Sequence, residues 1–491
     1  MNQPAINQPV ATEAPGQSVA ERITLAHDYL LVMRGAERTF AAMTEVYSEA
    51  PIYTLLYDEP GTSGRFADRS ITTSRLQRLG VGQANFRRLF PMYPRSVERL
   101  ELPESDVVLS SSSAFAHGVR APEGSIHVCY CYTPFRYAWY EEDRALSETA
   151  APLRPLLRAQ LRRMRDWDLR ASQRVDAYIA ISELSRRRIK RYYDRDAPIV
   201  HPPVETHRFG RERPEDKLLV VSELVRHKRV DIALEAARRA RAPIRVVGSG
   251  PDFEALRAAY PEAEFLGRLD DRQLVELYSA ARAVVVPSME EFGITIVEAQ
   301  AAGRPVIAAA AGGALETVLE GRTGALATLD DVDAFQQAIQ TIDELDFEPA
   351  YARTNAMRFS VSAFQTRLSA LVNQAVELGQ EFSGRWDQAL TSIPSEPLFD
   401  EEVRAARQLA SGVGHRRRLT GGVSTLGQLE HLVVAEEAQA QPLQEIVGAS
   451  EGSGHAATAE VKHIAIEDPQ KLHHANGALE LPDRVSEQMQ V

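Results

Sequence analysis

Two carboxylates and a glycine are spaced so that they could grip a phosphorylated ligand rich in hydroxyls. Glu290 and Glu298 stand eight residues apart in VVVPSMEEFGITIVEAQAAGRPVIAAAAGG, residues 284–313. On one helix that spacing is a rise of roughly 12 Å, so the pair cannot share a proton. It can instead hold two hydroxyl-bearing parts of one long ligand. Between the two acids, Phe292-Gly293 opens a helix whose free backbone N–H groups favour phosphate. Gly293 lets a ligand approach the backbone closely. The plain alternative is that Glu290 and Glu291 are solvated acids at the positive end of a helix.

The elements that must position these groups can be read around them. Val284-Val285-Val286 has the unbroken apolar character of a buried parallel strand, and Pro287-Ser288 ends it. Ile294, Val297, Ala301 and Ala302 follow at helical spacing, Gly303-Arg304-Pro305 stops the helix, and Val306-Ile307-Ala308 is the next strand. In open α/β sheets ligands bind at the carboxyl ends of strands, which is where the acids fall.

Similar apolar runs begin at Ile23, Pro51, Asp106, Ile126 and Val175, then at Leu218, Ile244 and Glu264. The first leads into the loop Arg34-Gly35-Ala36-Glu37, with helix expected to resume at Thr39. Residues 74–100 read as mostly helical with a basic surface. Gly248-Ser249-Gly250 after the run at Ile244 would suit any doubly wound domain, a nicotinamide-dependent oxidoreductase included. Ser182 is placed to cap a basic helix over 183–193.

The totals narrow the class. A chain of 491 residues can hold two or three domains, and no run of 18 apolar residues is present to span a bilayer. Cys129 and Cys131 are the only cysteines, two apart on one strand face, which fits a reducing, cytoplasmic setting. The net charge of −12 argues against general nucleic-acid binding. Residues 151–200 run against that trend, with 13 basic to 6 acidic side chains. Most of that excess falls on a helical pattern over 152–174, where Arg154, Arg158, Arg162, Arg163, Arg165, Arg170 and Arg174 flank Leu153, Leu156, Leu157, Leu161 and Met164. Such a helix suits the inner face of an anionic membrane or a lipid-diphosphate acceptor, or is a solvated face.

Glu290, Phe292-Gly293-Ile294, Glu298 and the run Ala299-Gln300-Ala301-Ala302-Gly303-Arg304-Pro305-Val306-Ile307 closely resemble the donor-site signature of glycosyltransferase family 4. The similarity extends over most of residues 23–370. It implies an α/β chain of the GT-B type, two doubly wound Rossmann-like domains facing across a cleft. The expected boundaries are a disordered leader over 1–21, an acceptor-side domain over 22–203 and a hinge over 204–216. A nucleotide-sugar domain with a returning helix follows over 217–384, then a mostly disordered, low-complexity tail over 385–491.

The resemblance also implies a function. The chain would be a retaining enzyme moving a sugar from a nucleoside diphosphate sugar to a hydroxyl of a saccharide or lipid-linked saccharide in polysaccharide assembly. Its version of the signature is similar to bacterial mannosyltransferases, which favours GDP-mannose and leaves UDP-sugars open. Catalytic positions would be Glu290, Lys228 and Tyr132. Donor-binding positions would be Gly35, Arg226, Gly248, Leu266, Phe292, Gly293, Ile294 and Glu298, with no metal and no cofactor. Three positions depart from the family pattern. Arg34 stands where a glycine is usual, Tyr132 where a histidine precedes Thr133-Pro134, and Glu223 where an arginine would face the diphosphate. Glu223 is expected to point away or pair with a base, with Arg226 or Arg229 supplying the missing charge. These departures motivate an alternative, a catalytically weak binding or scaffolding subunit.

Overall fold

The computed structural model describes residues 22–83, 85–210 and 214–379. The expected leader over 1–21 and tail over 385–491 lie outside them. Two parallel six-stranded sheets organise the described residues. In the first, the order is β3-β2-β1-β4-β5-β6, formed by Ile23–His27, Ile52–Thr54, Ile71–Thr73, Val107–Ser112, Ile126–Cys131 and Ala177–Ala180 in chain order. In the second, β12-β11-β10-β7-β8-β9 comprises Leu218–Val221, Ile244–Val247, Glu264–Gly267, Ala283–Val286, Val306–Ala309 and Gly324–Ala327. Both orders reverse beside the first strand of their sheet, which places a ligand crevice at the carboxyl ends of β1 and β4 and of β7 and β10.

Helices cover both faces of each sheet, so β4, β5, β6, β10 and β11 are buried at every position. This is why they appear in sequence as continuous apolar runs rather than alternating ones. The serines ending β4 are not exceptions. Ser110 Oγ lies 2.8 Å from His127 Nε2, and Ser111 Oγ lies 3.0 Å from the Tyr132 hydroxyl.

The chain leaves the first sheet at Val204, whose N–H donates to the Phe359 carbonyl at 2.8 Å. It comes back past Ser360, where the helix Val361–Leu378 begins. Phe364, Leu368, Leu371 and Val372 of that helix join Leu25, Phe40 and Ile52 in the first core, so this helix crosses back to the first sheet.

Three local expectations are corrected. The first helix begins at Gly35 rather than Thr39, because Glu37 turns back to accept the Arg34 N–H at 3.0 Å and closes the first turn early. Residues 74–100 hold two 3-10 segments and one short α-helix. Pro91 and Pro94 remove backbone donors there and prevent a long ladder. The arginine-rich helix runs Arg154–Ser172, shorter than 152–174.

Candidate active site

Glu290 does not belong to the helix after it. It lies in the loop between β10 and the helix Ile294–Ala301, so its relation to Glu298 is not that of two positions on one helix. Two glycines fix this loop from beneath. The Gly313 N–H donates to the Glu290 carbonyl at 2.8 Å. A Cβ on Gly312 would sit 2.2 Å from that same carbonyl oxygen, and one on Gly313 would sit 2.1 Å from the Phe292 oxygen. Only a bare backbone fits. Gly293 then turns the chain at φ 90°, a left-handed conformation that favours glycine, and the helix starts.

Lys228 comes from the turn Arg226–Lys228 after β7. Its Nζ donates to both Glu290 oxygens, at 2.8 and 2.7 Å, while the Ser288 hydroxyl donates to Oε1 at 2.7 Å. Burial works to lower the Lys228 ammonium, but Glu290 and Glu291 together outweigh it and the net shift is upward. The lysine is therefore firmly cationic, and it is held at the ends of β7 and β10.

Glu298 accepts the Tyr278 hydroxyl at 2.7 Å. Burial pushes its carboxyl upward against that hydrogen bond. Glu298 and Ile294 line a cavity of about 350 Å3 with Arg38, Glu205, Arg208 and Phe209, a size suited to part of a small ligand. Phe292 itself is buried against His201 and Phe359, so only its backbone reaches the loop surface. Gly248 donates its N–H to Gly267 and leaves no room for a side chain against the Ser222 carbonyl. Leu266 is half-buried in β9, and Arg226 is exposed.

The first domain brings Gly35 to the same place. A Cβ there would meet Ile294 Cδ1 at 2.8 Å, so the first helix abuts the start of the helix Ile294–Ala301. Tyr132 is buried. Its hydroxyl donates to the Ala36 carbonyl at 2.9 Å and sits 3.0 Å from Ser111 Oγ. A hydroxyl has one proton, so Tyr132 as placed holds the first turn of the helix at Ala36 and has none left for a ligand. Burial also pushes its ionisation well upward.

The departures at Arg34 and Glu223 are brought together, with Nη1 and Oε2 3.7 Å apart across the cleft. Arg229 is turned to Asp330 and Asp231 instead. Sequence reading weighed Arg34 and Glu223 separately; the signal available was that two unusual residues had opposite charge. It also missed Glu291, which Arg136 and Arg188 of the first domain meet at 3.4 and 3.5 Å. Burial works to raise the Glu291 carboxyl, but Arg136, Arg188 and Lys228 outweigh it and hold it below the ordinary range. Among the described residues, no group of three or more His, Cys, Asp or Glu is arranged to hold a metal ion.

Comparison with known proteins agrees with this architecture. The crystal structure of Anabaena HepE in complex with UDP aligns over 72% of this chain and all of its own, with a TM-score of 0.54 at 18% identity. Sucrose-phosphate synthase from Thermosynechococcus elongatus aligns over 73% of this chain and all of its own at 0.53 and 18%. Both likenesses concern the fold, which is GT-B. Residues 215–344 match the family described as Glycosyl transferases group 1, and the chain carries a domain of that family.

Curated relatives extend the match. A D-inositol 3-phosphate glycosyltransferase of Mycolicibacterium smegmatis is 30% identical over 283 residues, 51% of this chain and 60% of its own length. A GDP-mannose-dependent monoacylated alpha-(1-6)-phosphatidylinositol monomannoside mannosyltransferase of Corynebacterium glutamicum is 31% identical over 205 residues, 35% of this chain and 54% of its own. The chain thus spans little more than half the length of these relatives.

Proposed function

We propose that the chain is a retaining glycosyltransferase that moves a sugar from a nucleoside diphosphate sugar to a hydroxyl of a saccharide or lipid-linked saccharide. The observation that carries this reading is the Lys228–Glu290 pair, closed through both carboxylate oxygens beside the backbone turn at Gly293. As the bond from the sugar's anomeric carbon to the β-phosphate oxygen breaks, its electrons pass to the phosphate. Lys228 and the N–H groups at the helix start would meet that charge without a metal. The acceptor oxygen bonds to the anomeric carbon, and its proton passes to the departing phosphate. Glu290 would then hold sugar hydroxyls, and Glu298 the ribose.

Mannose from GDP-mannose is the favoured donor. The relative from Corynebacterium glutamicum supports it by name, while the UDP in the HepE crystals keeps a UDP-sugar in view. Transfer from GDP-mannose or UDP-glucose to a lipid-linked saccharide, followed by mass spectrometry of the product, tests the reading. Glu290→Gln should remove most of the transfer. Undiminished transfer by that variant would overturn the assignment of Glu290. A second reading, a scaffolding subunit of weak activity, is favoured by the committed hydroxyl of Tyr132. It predicts nucleotide binding without transfer.

We further propose contact with an anionic membrane through the arginine-rich helix. Leu153 and Leu156 at its start are 54% and 71% exposed, beside exposed Arg154 and Arg158. Apolar side chains flanked by arginines suit an anionic lipid surface. Among the described residues, no helix is long and apolar enough to cross a membrane. Flotation with phosphatidylglycerol vesicles should be lost on Leu153→Asp with Leu156→Asp, and equal flotation of this variant would contradict the contact.

A further inference from the structure

Arg34 stands at a junction of three elements. Its N–H is fixed to Glu37, and the residue after it abuts the first residue of the helix Ile294–Ala301. Its guanidinium faces Glu223, which comes from the same loop after β7 that carries Lys228. The pair thus crosses the cleft beside the lysine and the helix start. It is also loose. At 3.7 Å it is an ion pair without a hydrogen bond, with the arginine side chain 51% and the glutamate 38% exposed. An exposed pair of this kind contributes little and is easily exchanged for a better partner. Phosphate is such a partner, because its oxygens match the two-pronged guanidinium.

We infer that Glu223 is an exchangeable counter-ion for Arg34. In the empty cleft it holds the guanidinium. An arriving diphosphate displaces it and takes Arg34 from the first domain, while the nearby carboxylate limits how tightly that diphosphate is kept. The limit applies to the nucleoside diphosphate product as well as to the donor, so Glu223 also speeds product release. This inference rests on the reading of the cleft as a nucleoside diphosphate sugar site.

The test is calorimetric titration of UDP and GDP into the full chain, at fixed ionic strength, for wild type, Glu223→Gln, Arg34→Gln and the double variant. Glu223→Gln should tighten binding of whichever nucleotide the wild type takes by about two- to fivefold, the scale of one exposed charge interaction. Arg34→Gln should weaken it by roughly tenfold or more, the scale of a lost charge-assisted hydrogen bond. The double variant should stay weaker than wild type, and uridine or guanosine should not distinguish the four proteins. Arg34→Lys covers the case in which Arg34→Gln fails to fold. It keeps the charge without the fork and should fall between wild type and loss. If Glu223→Gln weakens binding as Arg34→Gln does, the pair is a strut and the inference is wrong. Arg34 variants that bind like wild type overturn it too. A wild type that binds neither nucleotide defeats the reading of the cleft itself, and that result is visible before any variant is compared.

Discussion

The two walls of the cleft use their polar residues in opposite ways. On the first-domain wall, polar groups at the strand ends are consumed internally. Asp28 accepts from the N–H groups of Ser113, Ala114, Phe115 and Ala116 and from the Ser113 hydroxyl, at 2.6 to 3.0 Å. Tyr132 is spent on Ala36, and His27 is buried against Ser111 and Phe40. On the second-domain wall, Lys228, Glu290 and Glu298 are ordered by their neighbours yet stay partly exposed. The strand ends of the first wall are shaped by their polar groups, while those of the second present them. Residue type alone does not separate these roles: Asp28 resembles a reactive acid by composition and acts as a clamp.

The contrast can be broken most severely from beneath the second wall. Gly313→Ala puts a Cβ against the Phe292 carbonyl. The backbone must move, at a cost of about 3 kcal/mol or more, and nucleotide binding should fall with the melting temperature. An unchanged melting temperature would show that the loop under Glu290 is not rigid.

The first wall should instead reveal itself through pH. Burial pushes the Glu37 carboxyl from 4.5 up to about 7. The native state therefore keeps a proton that the unfolded chain has released between those values. The stabilisation is complete below about 4.5 and is lost as pH rises to about 7, up to about 3 kcal/mol in all. Urea unfolding at pH 5 and pH 7.5, on wild type and Glu37→Gln, should show this slope only in the wild type. A slope of equal size in both would assign it to another group.

The smallest effects sharpen the comparison. Lys228→Ala should cost about 1.5–3 kcal/mol in nucleotide binding, the scale of a charge-assisted contact, whereas Glu223→Ala should cost none. Tyr132→Phe should cost about 1 kcal/mol of stability and leave nucleotide affinity unchanged. Chemical denaturation and calorimetry on the same preparations separate the two. A Tyr132→Phe variant that stays stable but loses affinity would place the hydroxyl on the ligand after all.

The fold was legible wherever burial wrote a one-dimensional pattern. The strand at Val284 and the helix after Gly293 could be placed within a residue, because apolar runs there are bounded by proline and glycine. The region over 74–100 was not, since its arginines and apolar residues suit a helix while Pro91 and Pro94 forbid a long one. In the candidate site, residues close in sequence, such as Glu290 and Gly293, could be grouped in advance. Pairings between distant residues could not. Nothing in the spacing of Arg34 and Glu223, or of Glu291 with Arg136 and Arg188, requires them to meet. Only the facing of two domains does that.

The most direct measurement is calorimetric titration of GDP-mannose, UDP-glucose, GDP and UDP into wild type and Glu298→Ala. The account predicts that one nucleotide family binds the wild type, and that the variant binds it several-fold more weakly through loss of a hydrogen-bonded charge. No binding by any of the four, or binding that ignores Glu298, would contradict the assignment of the second-domain wall as the donor site.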